Sequence, residues 1–199
     1  MPYRPTMSFR RLSILAAVAL ITVTLAVGAA RAQTGNTIAD FTLKTASNAD
    51  VALKSYAGNK AVVVVFLNPA CAFSRLYQER LASLSSGYRA RGVEFLFINV
   101  PINLDAPGTA APGEVELPTL TDPSLHASNI LGVTKPAEAV VLEPTPAGFV
   151  VRYRGAIDDN PQVSSNVQQP YLKQVLDNVL AGRPTGVADR RAAGCLIKR

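Results

Sequence analysis

The sequence predicts an α/β domain with a central mixed β-sheet flanked by helices, and three stretches predict it. "KAVVVVFLN" (60–68) is an unbroken apolar run that ends in a breaker, the pattern of a strand buried on both faces of a parallel or mixed sheet. From Ser74 to about Tyr88 the apolar residues Leu76, Tyr77, Leu81 and Leu84 return at helical spacing, with Gly87 or Gly92 as the stop. "GVEFLFINV" (92–100) reads as a second buried strand. Strand, helix and strand within about forty residues make a βαβ unit.

The remaining elements follow in order. Asp40 to Lys44 and "ADVALKSYAGN" (49–59) read as two short strands, the second closed by a turn at Gly58-Asn59. "PINLDAPGTAAPGEVELP" (101–118) is rich in Pro, Gly and Ala without periodicity and reads as a loop insertion. Asp122 to Leu131 reads as a short helix, capped by Asp122 or Ser124 and stopped by Gly132. "AEAVVLEP" and "GFVVRYRG" are two strands around Pro144 to Gly148, a hairpin with a somewhat longer loop. "QQPYLKQVLDNVLAG" is a helix, with Pro170 near its start, Leu172, Val175, Leu176, Val179 and Leu180 on one stripe, and Gly182 at its end. Residues 183–199 form a tail with no element of their own. The order β, β, β, α, β, α, β, β, α joins a βαβ half to a ββα half, which is the order of the thioredoxin fold with an N-terminal β extension.

Residues 1–32 read as an export signal. Arg4, Arg10 and Arg11 supply a positive start, Leu12 to Ala30 is almost wholly apolar, and Ala30-Arg31-Ala32 has small residues at the spacing of a cleavage site before Gln33. The alternative is an inner-membrane anchor formed by residues 12–30, a run about long enough to span. No cysteine lies near the end of the apolar run, which excludes a lipoprotein anchor. The expected location is periplasmic or extracellular, with residues 33–182 as the domain and 183–199 as a basic tail.

Charge excludes one class of partner. The whole chain carries +6, but four of its twenty Lys and Arg lie in residues 1–32, leaving sixteen against fourteen acids, or +2. That balance, with no face where aromatic and basic residues interleave, gives no case for nucleic acid. A metal is not expected, because one His and two distant Cys cannot build a structural zinc site. No cofactor is expected either. About 167 residues remain after the signal, enough to bury a single core.

The chemistry points to Cys71. In "VVVVFLNPACAFSRLYQERL" (62–81) it sits where a parallel strand hands over to a helix. The first N–H groups of a helix lack intrahelical partners and carry the positive end of its dipole, so a thiolate there is stabilised. Ser74 is placed to hydrogen-bond that thiolate, and Arg75, one turn on, adds positive charge. Cys195 is the other cysteine, and an exported chain with two cysteines permits one intramolecular pairing.

These segments resemble the thioredoxin-like superfamily, and within it the redoxin group of alkyl hydroperoxide reductase C and thiol-specific antioxidant proteins. The chain looks most like exported peroxiredoxin-like members on three segments: "NPACAFSRLYQERL", "VRYRGAIDDN" (151–160) and "GCLIKR" (194–199). The resemblance implies a thiol-dependent oxidoreductase or antioxidant acting on protein or small-molecule thiols and disulfides, or on peroxides. It also implies that Pro136, in "VTKPAEAVVL", takes the place of the proline that faces the active cysteine and positions substrate. Relatives have Thr-Pro directly before Glu, whereas Ala137 intervenes here; a trans proline opening an edge strand is the other reading.

Two departures narrow the expectation. A dithiol thioredoxin carries CxxC, whose second thiol releases the mixed disulfide; here Ser74 stands in that position and cannot. A peroxiredoxin carries PxxxTxxC, and counting back from Cys71 those places hold Val64 and Asn68. Cys195 then has two readings. On a mobile tail it is a resolving thiol that attacks a sulfenate or mixed disulfide at Cys71. As a structural partner it closes a loop of more than a hundred residues, worth roughly 4 to 5 kcal/mol in the chain-entropy model. His126 reads as a helix-surface residue, and Asp158-Asp159 as a turn before Asn160-Pro161, with a flank of the cysteine site as the lesser reading. Three functions therefore stand: thiol–disulfide oxidoreductase, thiol peroxidase, and a non-catalytic module with a permanent bridge.

Overall fold

A computed structural model of the chain describes residues 37–103 and 117–199. The elements run β1 (Thr37–Ile38), β2 (Thr42–Lys44), β3 (Asp50–Ala52), β4 (Ala61–Leu67), α1 (Ala72–Arg89), β5 (Val93–Asn99), β6 (Thr119–Thr121), α2 (His126–Ile130), β7 (Glu138–Thr145), β8 (Gly148–Ala156) and α3 (Tyr171–Leu180). The expected export segment and residues 104–116 of the loop insertion lie outside the described residues. No helix of the described residues is long and apolar enough to cross a membrane.

All eight strands join one mixed sheet in the order β1-β8-β7-β4-β5-β6-β2-β3. β4 pairs in parallel with β5 along its whole length and antiparallel with β7, so the βαβ unit and the hairpin meet at the valine run. That run is fully buried because both of its faces are covered. Ala61, Val63, Val65 and Leu67 point toward Tyr77, Leu81 and Tyr88 of α1 and toward Leu172, Val175 and Leu176 of α3. Val62, Val64 and Phe66 point the opposite way, toward Phe41, Leu53, Ala127 and Leu131. Each such side chain contributes about 1.5–3 kcal/mol by leaving water. The architecture is the α/β, thioredoxin-like sheet flanked by helices that the pattern predicts, with the N-terminal β extension in place.

The differences in detail have local causes. α1 starts two residues earlier than expected and buries Ser74, Tyr77, Leu81 and Tyr88, while Leu76 is 44% exposed, so the stripe is rotated by one position. The helix expected over 122–131 shrinks to His126–Ile130, because Leu125 at its N-cap is left-handed (φ 55°). Asp122 still caps it from outside, accepting the N–H groups of His126 (2.9 Å) and Ser128 (3.2 Å). The β7–β8 loop is shorter than expected: Thr145 pairs with Gly148, leaving only Pro146 and Ala147 between. β1 and β6, of two and three residues, carry no pattern of their own and exist through pairing with β8 and with β5 and β2.

Two polar clamps fix α1 against its neighbours. Asp158 is 6% exposed, accepts the Tyr77 hydroxyl (2.9 Å) and Asn160 N–H (3.0 Å), and pairs with Arg80 (2.5 Å). Arg80 also donates to the carbonyls of Asn160 (2.8 Å) and Pro161 (2.5 Å). Burial, and then the Asp158 carboxylate, push the Tyr77 phenol far above its ordinary range. The second clamp is Asp177 on α3, which accepts from Lys173 (2.7 Å), Arg91 (2.7 Å) and Tyr88 (2.9 Å). Burial alone would raise the Asp177 pKa, but the hydrogen bonds from Lys173, Arg91 and Tyr88 outweigh it and hold it at about 2.

Replacing Asp158 with Ala leaves Arg80 short of its carboxylate and is expected to cost about 3 kcal/mol, measured by urea unfolding at neutral pH. Asp177 gives a pH signature. Its folded pKa of about 2 lies below the ordinary carboxylate value of about 4, so its contribution is whole above about pH 4 and fades as pH falls toward 2. Asp177→Asn is therefore expected to flatten the acid limb of the stability curve in that window, by a modest amount because the side chain is 30% exposed.

Candidate active site

Local sequence builds the loop that presents Cys71. At the end of β4 the Asn68 carbonyl accepts the Cys71 N–H (3.0 Å), closing a turn with Pro69 at its second position. The Asn68 side chain completes it: Oδ1 accepts the Ala70 N–H (2.8 Å) and Nδ2 donates to the Val100 carbonyl (2.7 Å) at the end of β5. Cys71 follows as the N-cap of α1, with extended backbone, and its carbonyl accepts the Arg75 N–H (3.2 Å). The cysteine thus stands where the dipole of an eighteen-residue helix is positive.

Cys71 is fully buried and is bonded to Cys195 through a disulfide, with the two Cα atoms 6.1 Å apart and a separation of 124 positions in sequence. The Cys195 N–H also points at Cys71 Sγ, 3.4 Å away. Of the two cysteines, Cys195 is the more accessible, being only partly buried, and the next residue, Leu196, is 56% exposed.

The other sequence-predicted residues stand around this bond. Ser74 is fully buried and its hydroxyl accepts the Asn68 N–H (3.1 Å), tying the helix start to the end of β4. The Arg75 guanidinium donates to the Pro69 carbonyl (3.3 Å), across the same turn. The peptide bonds of the described residues are all trans, Pro136 included. Ala137, the residue that departs from the family pattern, takes a positive φ of 62° and donates its N–H to the Phe66 carbonyl (2.7 Å). The carbonyl of Pro136 faces Gly194, so close that a Cβ on Gly194 would come within 2.5 Å of it.

The tail forms no helix or strand, as its composition suggests, but isolated bridges seat it on the domain. Arg190 bridges to Gly155 on the free edge of β8: the Arg190 carbonyl accepts the Ala156 N–H (2.9 Å), and its N–H donates to Arg154 (3.3 Å). A side chain on Gly155 would overlap the Arg190 backbone, which explains glycine in "RGAIDD". Beyond Cys195 the chain pairs again. Ile197 N–H donates to Thr134 (3.0 Å), Lys198 N–H to Pro101 (2.9 Å), and Asn103 N–H to Leu196 (3.1 Å). Ile197 itself is 5% exposed and joins the core that contains Val133 and Leu131. The Arg199 guanidinium closes the path on Asn129 Oδ1 and the Val133 carbonyl, both at 2.7 Å.

Sequence reasoning missed the role of Asn68, which builds the turn before Cys71, and those of Gly155, Gly194 and Ile197, which seat the tail. The only signals were the Asn-Pro break and the apolar Leu-Ile pair after Cys195. His126 is exposed, as expected. Asp158 is more than a turn residue, since it clamps α1, and with Asp159 and Tyr171 it lines a cavity of about 270 Å³ beside Ala192 and Ala193 of the tail. No metal-holding group of His, Cys, Asp and Glu exists among the described residues.

Known proteins share the fold. Among solved structures the chain is similar to a hypothetical protein from Sinorhizobium meliloti 1021, at 25% identity over 82% of this chain and 93% of that one, with a TM-score of 0.68. It is similar in fold to an uncharacterized conserved protein from Geobacillus kaustophilus (23% identity, 83% and 91% covered, TM-score 0.69). The peroxidoxin BcpB from Mycobacterium tuberculosis shares the fold at 16% identity (74% and 94% covered, TM-score 0.50). No curated protein matches the chain significantly. Residues 34–160, which carry the strand, the Asn-Pro turn, Cys71 and the Gly155 edge, match the AhpC/TSA family. With that match covering more than half of its length, the chain belongs to the AhpC/TSA family.

Proposed function

We propose that the chain is an exported thiol–disulfide oxidoreductase of the redoxin type, with Cys71 as nucleophile and Cys195 as resolving thiol. The observation that carries this reading is the disulfide between the N-cap of α1 and the tail. It supplies the second sulfur that Ser74 cannot. In the working direction the Cys71 thiolate attacks one sulfur of a substrate disulfide and expels the other as a thiolate. The Cys195 thiolate then attacks Cys71 Sγ, releasing the first substrate sulfur as a thiolate and closing Cys71–Cys195. The substrate gains two electrons and the chain loses two.

Regeneration starts at the more accessible sulfur. A thiolate of a dithiol reductant attacks Cys195 Sγ and expels Cys71, which is the better leaving group because the helix N-terminus and the Cys195 N–H both favour its anion. The second thiol of the reductant then frees Cys195. Ser74 and Arg75 serve this chemistry by holding the 68–71 turn from either side, and Arg75 adds a positive charge near the helix start. Pro136 positions the segment that carries the second sulfur, since its carbonyl lies against the residue before Cys195. Export is supported by the disulfide, which persists in oxidising compartments, and by the signal-like pattern of residues 1–32. An uncleaved anchor at residues 12–30 would tie the same chemistry to a membrane surface.

A thiol peroxidase reading draws on the AhpC/TSA match itself. It needs Cys71 to form a sulfenic acid that Cys195 traps. The pocket residues oppose it: Val64 is a fully buried core residue, and the Asn68 amide is committed to Val100 and Ala70.

Cys195→Ser is expected to keep the first exchange step with a small-molecule disulfide and to accumulate a mixed disulfide on Cys71, seen as a mass shift that a dithiol removes. Cys71→Ser is expected to abolish exchange. Exchange that continues unchanged in Cys71→Ser would sink the proposal.

A further inference from the structure

We propose that residues 190–199 occupy the chain's own substrate groove, and that the substrate is an extended, disulfide-engaged segment of another protein with a glycine before its cysteine and an aliphatic residue two positions after it. This rests on the redox reading of Cys71. The argument starts from what holds the tail. Five of its contacts are main-chain to main-chain: Arg190 with Arg154 and Ala156, Ile197 with Thr134, Lys198 with Pro101, and Leu196 with Asn103. Backbone pairing does not depend on side chains, so any extended segment can reproduce it.

Side chains enter at two places beside the cysteine. At the position before it, the Pro136 carbonyl leaves no room for a Cβ, so Gly194 is demanded by space and a larger residue must lift the backbone. Two positions after it, Ile197 is buried against the core on the α2 side, so a polar residue there would be desolvated without a partner. A small disulfide or peroxide uses neither feature. The exchange step places one constraint more: the attacked sulfur must lie where Cys195 Sγ lies, in contact with Cys71 and beside Gly194.

The cycle balances with the groove as the shared resource. Once a dithiol has reduced Cys71–Cys195, the tail is no longer covalently held and a partner segment can replace it. The Cys71 thiolate attacks the partner's sulfur in the groove and the partner's second cysteine leaves as a thiolate. Cys195 then attacks Cys71 Sγ, the partner's first cysteine leaves as a thiolate, and the returning tail takes the backbone positions that the partner held. Resolution and product release become one event.

The test uses the full chain carrying Cys195→Ser and Ile197→Asp, so that the tail neither bonds nor seats, with Cys195→Ser alone as the second variant in case the double one does not fold. The probes are ten-residue peptides of sequence RRAAGCLIKR, in original, Gly194→Val and Ile197→Asp forms, each with its cysteine as a 2-thiopyridyl disulfide, and free dithiodipyridine. Thiopyridone release and the mass of the Cys71 adduct are followed. The original peptide is expected to react at least about tenfold faster than either altered one, in both variants, a factor that corresponds to one lost packing contact. Equal rates for all three peptides, with dithiodipyridine still reactive, overturn the groove proposal and leave the redox reading standing. No reaction of Cys71 with any probe overturns both.

Discussion

The arrangement depends on one contact: a sulfur at the N-cap of α1 held against the residue before the last four of the chain. Cys71 is positioned by residues 61–89, where a buried valine strand, an Asn-Pro turn and a helix follow each other without a spare residue. The sulfur bonded to it comes from the other end of the chain. The tail reaches it only because Gly155 leaves the edge of β8 open to Arg190 and Gly194 passes the Pro136 carbonyl. A side chain at either glycine would part the two halves of the site.

This division explains why the local motif misleads when read alone. Cys71-Ala72-Phe73-Ser74 has one thiol where a dithiol enzyme has two. Ser74 is not an idle replacement, because its buried hydroxyl takes the Asn68 N–H that the end of β4 would otherwise leave unsatisfied. The second sulfur lies on the tail, bonded to the buried first one. Under the proposed cycle this tail shields the buried sulfur while oxidised and gives way when a protein substrate enters. Its many main-chain bonds hold it as long as the disulfide limits its freedom, since the crosslink removes most of the entropy that detachment would gain.

The sheet and its two cores were legible because burial on both faces leaves an unmistakable run: Val62 to Val65 can sit nowhere but in a central strand. The stripe Leu172, Val175 and Leu176 was legible for the same kind of reason, periodicity imposed by one buried face. What the sequence hides are features set by partners far along the chain. β1 and β6 are strands only because β8, β5 and β2 lie beside them. Leu76 keeps helical spacing yet faces solvent, because α1 is rotated to bring Ser74 and Tyr77 inward. Of the site, the strand-to-helix cysteine could be read from local pattern, and pairing with Cys195 from there being just two cysteines. The seat of the tail could not, since nothing in "RRAAGCLIKR" marks which backbone edges are open elsewhere.

The central claim is that Cys71–Cys195 is a working bond and not a permanent staple, and its reduction potential tests that most directly. Equilibration of the full chain with glutathione and dithiothreitol buffers, read by the mass of the alkylated thiols, gives the value. The account predicts a potential within the range of thiol–disulfide oxidoreductases, about −120 to −270 mV. A value below about −300 mV, the range of structural disulfides in secreted proteins, would contradict it and make the tail a fixed part of the fold.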